Sequence, residues 1–292
     1  MRFCLACICL FCITGLSLQG QTDFPYPDVP DSLSSQESRI DYLAIHFWDK
    51  VDFGNEEILA TSKPVLNYIY LLQNSKGVSS QGCLKRLFDL TAEYDEFVGC
   101  LLSWFSHFLH DAHSPLYDDL FYSAILNTAL ESRVSDDIRN NILSQLKIVD
   151  QNQPGQAANN FGFDDKLGNR HMLYDIKAKY LLLVFTNPDC SVCKKTEEAM
   201  GSSEMLNSLI NKGIVMVLAV CPEDNYEGWL SHAYPQTWIN GYDMARELYS
   251  NRLYDIQYYP SLYLLDSNKT VLVKESDWQI VELYFKEAIS AL

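Results

Sequence analysis

"YLLLVFTNPDCSVCKK", residues 180–195, decides how the second half of this chain is built. Tyr180 to Phe185 is an unbroken apolar run, the pattern of a strand buried on both faces. The "KTEEAMGSSEMLNSLIN" that follows, residues 195–211, is polar and helix-prone. Cys190 and Cys193 stand where the strand hands over to the helix, so Cys190 is expected at the helix start and Cys193 one turn inside. There the unpaired N–H groups and the positive end of the helix dipole favour a thiolate on the first cysteine. The second is placed to resolve a mixed disulfide by exchange. Lys194 and Lys195 add positive charge nearby, and Asp189, Glu197 and Glu198 oppose it. A zinc site would need four ligands, as a second CxxC or a close His pair; neither exists, and Cys221, His171 and His232 are scattered. A staple closing so short a loop would stabilise little. The pair reads as a redox dithiol, with no metal and no bound cofactor.

Outward from it, "GIVMVLAV" (213–220) is a second buried strand ending at Cys221. Neighbouring parallel strands finish at one sheet edge, which makes Cys221 a candidate auxiliary thiol; the competing reading is a small residue packed at a strand end. "KLGNR" reads as a turn between two short strands and "DMARELYSNRLY" as a helix. "SLYLLD" and "TVLVKE" flank a polar "SNK" hairpin turn, and "DWQIVELYFKEAISAL" closes as a helix with Asp277 as its cap. Strands alternating with helices predict an α/β architecture with a mixed central sheet flanked by helices. The aromatics between Asn225 and Ile256 are either core or an overhanging substrate surface, and core packing is the commoner use of such spacing.

The first half has another period. From Ser34 to about Val149 the apolar residues recur at helical spacing, as in Ile40, Leu43, Ala44, Phe47 and Trp48. Ser34 and Glu37 have the spacing of a capping box. "KPVLNYIYLLQN", "EFVGCLLSWFSHFLHDAH", "LYDDLFYSAILNTALES" and "SDDIRNNILSQLKIV" predict further helices, the last capped by Ser135 and followed by two aspartates. His110 and His113 flank Asp111 but lack further ligands for a metal. The polar "DQNQPGQAANN" carries Pro154-Gly155 and no apolar period, so it reads as a linker. The first residues read as a secretory leader: Arg2, an apolar run from Phe3 to Leu18, then Gln19-Gly20, with cleavage placed before Gln21. The rival is a lipid anchor at Cys12, with Phe11 before it where a small residue is usual. The expected organisation is leader 1–20, all-α domain 21–150, linker 151–160 and α/β domain 161–292.

Of nine cysteines in 292 residues, four lie in that leader; Cys83, Cys100, Cys190, Cys193 and Cys221 remain. An odd number in an exported chain leaves at least one thiol unpaired, and Cys83 and Cys100 are as readily a disulfide as two separate thiols. The formal net charge of −16 disfavours nucleic acid and anionic membrane surfaces as partners, leaving membrane contact only through a lipid anchor.

"YDIQYYPSLYLLD" adds a proline directly before an apolar strand, unusual inside a sheet because it cannot donate to the ladder. With the CxxC, this arrangement resembles the thioredoxin superfamily, and "DIKAKYLLLVFTNPDCSVC" resembles its TlpA/ResA-like exported members. The resemblance covers about residues 160–292. It implies a nucleophilic Cys190, a resolving Cys193, a redox disulfide between them, and Pro260 as a cis-proline. It places Tyr259 where the family pairs its backbone with an extended substrate. The helical half, with "FPYPDVPDSL" and "RIDYLAIHFWDKVDF", resembles an uncharacterised family of exported bacterial proteins fused to such domains, as does "VCPEDNYEGWLSHAYPQTWINGYD". Three positions depart from the superfamily pattern. Asp189 stands in place of the usual Trp, Val184 in place of a buried acid, and Thr196 in place of the acid of the ResA-like set, with Glu197 beside it. The proton-handling role is thus unassigned. Two functions are expected. One is a periplasmic or envelope thiol–disulfide oxidoreductase, a reductase by resemblance, acting on disulfide-containing or dithiol proteins and recycled by a redox partner. The other is a protein-binding scaffold whose helical domain recruits a partner and whose CxxC is vestigial or structural.

Overall fold

The computed structural model describes residues 24–290; the expected leader and the alternative lipid anchor at Cys12 lie outside them. Six helices build the first half: α1 (Gln36–His46), α2 (Lys63–Asn74), α3 (Ser80–Leu90), α4 (Asp95–Leu109), α5 (Asp119–Leu130) and α6 (Asp136–Val149). The α4 stripe of Phe97, Val98, Leu101, Leu102, Phe105 and Leu109 is buried at the spacing of one helix face. It packs into an aromatic-rich core with Phe47, Trp48, Tyr68, Phe88 and Tyr122. The cap of α1 is Ser35, whose hydroxyl accepts from Ser38 N at 3.1 Å, one residue beyond the Ser34 expected from the capping-box spacing. Ser135 caps α6 with Asp136 and Asp137 in its first turn, as expected. The α3 segment was not singled out by its sequence, because Gly82 and its charged residues dilute the apolar period. Cys83 on α3 is a free, buried thiol, and Cys100 on α4 sets its Sγ 3.8 Å from Leu59 O, so no disulfide joins them.

The second half is a seven-stranded mixed sheet in the order β2-β1-β5-β4-β3-β6-β7. Its strands are β1 (Gly162–Asp164), β2 (Arg170–Met172), β3 (Tyr180–Phe185), β4 (Val215–Cys221), β5 (Ile239–Tyr242), β6 (Ser261–Asp266) and β7 (Val271–Ser276). Helices α7 (Ser191–Ser202), α8 (Glu204–Asn211), α9 (Tyr226–Ser231), α10 (Glu247–Ser250) and α11 (Trp278–Ser290) complete it. The stretch expected as one helix over 195–211 is two, because Ser203 leaves the helical conformation and caps α8. Only one turn of "DMARELYSNRLY" is helical; Arg246 before it has φ +55°. Strand β5 escaped the sequence reading because "INGY" lacks alternation. Its Gly241 is required by packing, since a Cβ there would lie 2.7 Å from the Phe163 ring.

Leu182 and Val184 of β3 enter one core and Leu181, Leu183 and Phe185 the other. Both faces of the strand are covered, which is why its sequence is unbroken. β3 runs parallel to β4 and antiparallel to β6, with Phe185 beside both Val220 and Ser261. The end of β3, the end of β4 and the start of β6 therefore meet at one sheet edge. Trp229, Tyr234, Trp238, Tyr242 and Tyr254 are core residues, and Tyr249 of the same aromatic segment is exposed. The segment after α6 does not hang free: Gly155 N donates to Val271 O (2.8 Å) and Ala158 N to Lys269 O (2.9 Å), covering the outer edge of β7.

Candidate active site

Cys190 is the N-cap of α7. Its Sγ accepts the N–H of Cys193 at 3.0 Å, one of the helix's unpaired donors. The Tyr259–Pro260 peptide is cis, and Cys190 Sγ lies 3.6 Å from Tyr259 O. Both cysteines are free thiols, Cys190 half-buried and Cys193 buried. Burial pushes the Cys193 thiol up to about 12, and the neighbouring Cys190 adds to the rise, while hydrogen bonds with Asn187 and Thr186 oppose it. At neutral pH Cys193 is therefore a thiol and needs a proton acceptor before it can attack.

Behind Cys193 the structure places a polar cluster that the sequence did not assign. Thr186 Oγ1 donates to Glu197 Oε1 at 2.8 Å, and His232 Nε2 lies 2.7 Å from Glu197 Oε2. Thr186 and Glu197 are buried, in a wall that also holds the buried Tyr234, whose hydroxyl has no hydrogen-bond partner among the described residues. Glu197 follows Cys193 by four residues, so the two share a helix face; that spacing was the available signal. His232 has no comparable signal, because it arrives from the loop after α9. Lys166 fixes that loop by donating to Leu230 O (3.0 Å) and His232 O (2.7 Å).

Cys221 ends β4 beside this wall. Burial raises its thiol to about 11; the hydrogen bond to the Glu223 backbone opposes the rise, and the charges of Glu223 and Asp189 add to it. The loops after β3 and β4 are tied by Asn225 Nδ2 donating to Asp189 Oδ2 at 2.8 Å. Tyr259 OH donates to Glu223 Oε1 at 2.7 Å, fixing the side chain of the residue whose backbone carbonyl faces Cys190. Cys190, Cys193, Tyr259, Pro260 and Cys221 are thus brought to one edge of the sheet. His171, by contrast, is exposed on the β1–β2 hairpin, and no group of three or more acidic, His or Cys side chains among the described residues is arranged to hold a metal.

A strand, a CxxC-capped helix and a cis-proline loop facing the first cysteine define the thioredoxin fold. A thioredoxin-like protein from Bacteroides caccae superposes with a TM-score of 0.72 at 29% sequence identity, over 91% of this chain and 98% of that one. The C-terminal domain of an uncharacterized protein from Bacteroides fragilis is 35% identical, with 46% of this chain and 98% of that one covered, at a TM-score of 0.45. The thioredoxin domain of a thiol-disulfide oxidoreductase from Bacteroides vulgatus is 23% identical, covers 45% of this chain and 97% of its own, and has a TM-score of 0.36. A family model described as a domain of unknown function, DUF5106, matches residues 13–152. No curated protein matches the chain. The α/β half thus has a thioredoxin-like fold, as the Bacteroides caccae protein does, and it is joined to a helical half that falls within the residues matching DUF5106.

Proposed function

We propose that this protein is an exported thiol–disulfide oxidoreductase of the TlpA/ResA-like kind that reduces disulfides in envelope proteins. The observation that carries the reading is an accessible helix-capping Cys190, its Sγ 3.6 Å from the Tyr259 carbonyl, paired with a buried Cys193. In the reaction the Cys190 thiolate attacks one sulfur of the substrate disulfide. The substrate S–S bond breaks, a mixed disulfide forms, and the leaving thiolate takes a proton. Cys193 then gives up its proton through the Thr186 hydroxyl toward Glu197 and His232, and its thiolate attacks Cys190 Sγ. The substrate leaves with its second sulfur reduced, and two electrons have passed from the dithiol, now a Cys190–Cys193 disulfide. A second thiol protein must return them. Tyr259 and Pro260 would hold the substrate backbone, and Cys221 is kept as an auxiliary thiol beside the pair.

Export rests on residues 1–20, read as a leader ahead of domains at 21–150 and 161–292 joined by 151–160. No helix among the described residues is long and apolar enough to cross a membrane. The test is the reduction potential of the pair, measured in glutathione buffers. A value close to thioredoxin's roughly −270 mV supports a reductase, and one near roughly −120 mV reverses the direction. Absence of a reversible two-electron couple, or a couple that survives Cys190→Ser, would leave a scaffold whose helical half recruits a partner.

A further inference from the structure

The loop that carries Tyr259 is held almost entirely by side chains. Among the described residues, backbone–backbone hydrogen bonds outside the strands do not reach residues 255–260. Regular pairing resumes only at Ser261, where β6 meets β3. From its own half the loop gets Tyr263 OH donating to Asp255 O (3.0 Å), and Gln257 N and Tyr258 OH donating to Glu275 Oε1 (3.3 Å) and Glu275 O (3.4 Å).

Tyr259 OH adds a hydrogen bond to Glu223 Oε1 (2.7 Å), and the remaining anchors come from the helical half, at the turn following α4. Gln257 Nε2 donates to His110 O at 2.8 Å and to Asp255 Oδ2 at 2.9 Å, and its Oε1 accepts from Ala112 N at 3.3 Å. A primary amide has two N–H donors and one carbonyl, so this exposed side chain engages both ends of its amide, one end on each of two residues of that turn. The next residue, Tyr258, packs its ring on His113 with centroids 4.2 Å apart. The residue after that presents its carbonyl to Cys190. The turn itself is fixed, since His110 Nδ1 lies 2.7 Å from Asp119 Oδ1 and His110 Nε2 3.3 Å from Asp255 Oδ2. Three consecutive residues therefore run from the helical half to the reactive thiol.

We propose that Gln257 is a positioning residue, through which the 110–113 turn of the helical half sets the place of the substrate-pairing loop. The helical half is then a structural part of the redox site, not a separate recruiter beside it. Ordering a glutamine side chain costs rotamer freedom, which its three hydrogen bonds must offset. A backbone edge that pairs with substrate works only if it is held to within about 0.5 Å. This proposal rests on the oxidoreductase reading above.

The test compares Gln257→Ala and His113→Ala with the wild type, all as full chains, with dithiothreitol supplying electrons. Insulin serves as a protein disulfide that needs backbone pairing, and hydroxyethyl disulfide as a small one that does not. For insulin, KM should rise about tenfold in Gln257→Ala, the weight of one to two hydrogen bonds. It should rise about threefold in His113→Ala, the weight of one ring contact. In both, kcat, the rate with hydroxyethyl disulfide and the potential of the pair should stay within about twofold of wild type. Unchanged insulin kinetics in both variants would overturn the proposal, as would an equal loss with both disulfides accompanied by a shifted potential, the mark of a general structural role. A wild type that reduces neither disulfide would defeat the functional reading itself, and this proposal with it.

Discussion

Cys190 and Cys193 share one helix turn and differ in surroundings: Cys190 is half-buried at the cap, Cys193 is sealed beneath it. Under the proposed exchange, Cys190→Ser should abolish disulfide reduction. Cys193→Ser should instead accumulate a covalent adduct with substrate, visible as a higher band on non-reducing gels; failure to trap any adduct would contradict the assigned order of attack. The high Cys193 pKa has a kinetic counterpart. Its thiolate fraction grows as pH rises toward about 12, so release of substrate from the mixed disulfide should accelerate with pH. In the proposed exchange the cluster behind it supplies the base at neutral pH, so Glu197→Gln should slow that step by about 10²-fold. In alkali the variant and the wild type should converge. Stopped-flow decay of a preformed mixed disulfide on Cys190 measures this, and parallel pH profiles for the two proteins would remove Glu197 from the path.

At the scale of elements, β7 carries an unusual residue. Glu275 is buried, sits at φ +43° and has one carboxyl oxygen with no hydrogen-bond partner among the described residues. Burial pushes its pKa up to about 9, and the nearby Asp255 adds to the rise. The folded state therefore holds this carboxyl protonated where the unfolded chain ionises it. The stability linked to it is whole below the ordinary value of 4.5 and is lost as pH rises toward about 9. Glu275→Gln keeps an acceptor for Gln257 N and removes the ionisation. Urea unfolding of the variant should match wild type near pH 4 and show greater stability at pH 8. Equal stabilities at both pH values would show that Glu275 does not titrate on unfolding.

Across the whole molecule, the two halves are joined by a buried ion pair. Lys274 Nζ of β7 lies 2.6 Å from Asp119 Oδ2 at the start of α5, and both side chains are 4% exposed. Burial alone would raise the Asp119 pKa, but His110 and Lys274 together hold it below the usual carboxylate range. Tyr117 OH also donates to it at 2.8 Å. Lys274→Met leaves that carboxylate buried without its cation and should destabilise the fold by about 3–5 kcal/mol. A double variant with Asp119→Leu should recover most of the loss, as an apolar pair of similar volume often does. Chemical unfolding of the single and double variants decides this; a single variant within about 0.5 kcal/mol of wild type would show that the pair does not couple the halves.

The sequence alone determined what local rules can fix. An unbroken run such as Tyr180–Phe185 must be covered on both faces, a CxxC between strand and helix must lie at a helix cap, and the apolar stripe of α4 must face a core. Each follows from spacing along a few neighbouring residues. Where local signals compete, the reading slipped: Ser35 took the cap from its neighbour, Ser203 broke a helix in two, and "INGY" became a strand because β1 and β4 lay on either side to pair with it. The tertiary structure decided the rest, because it depends on residues far apart in the chain. Glu197 meets His232 across 35 positions and Gln257 meets His110 across 147. No periodicity records such pairs; they arise only when the sheet edge and the two halves close on each other and bring distant polar groups within hydrogen-bonding distance.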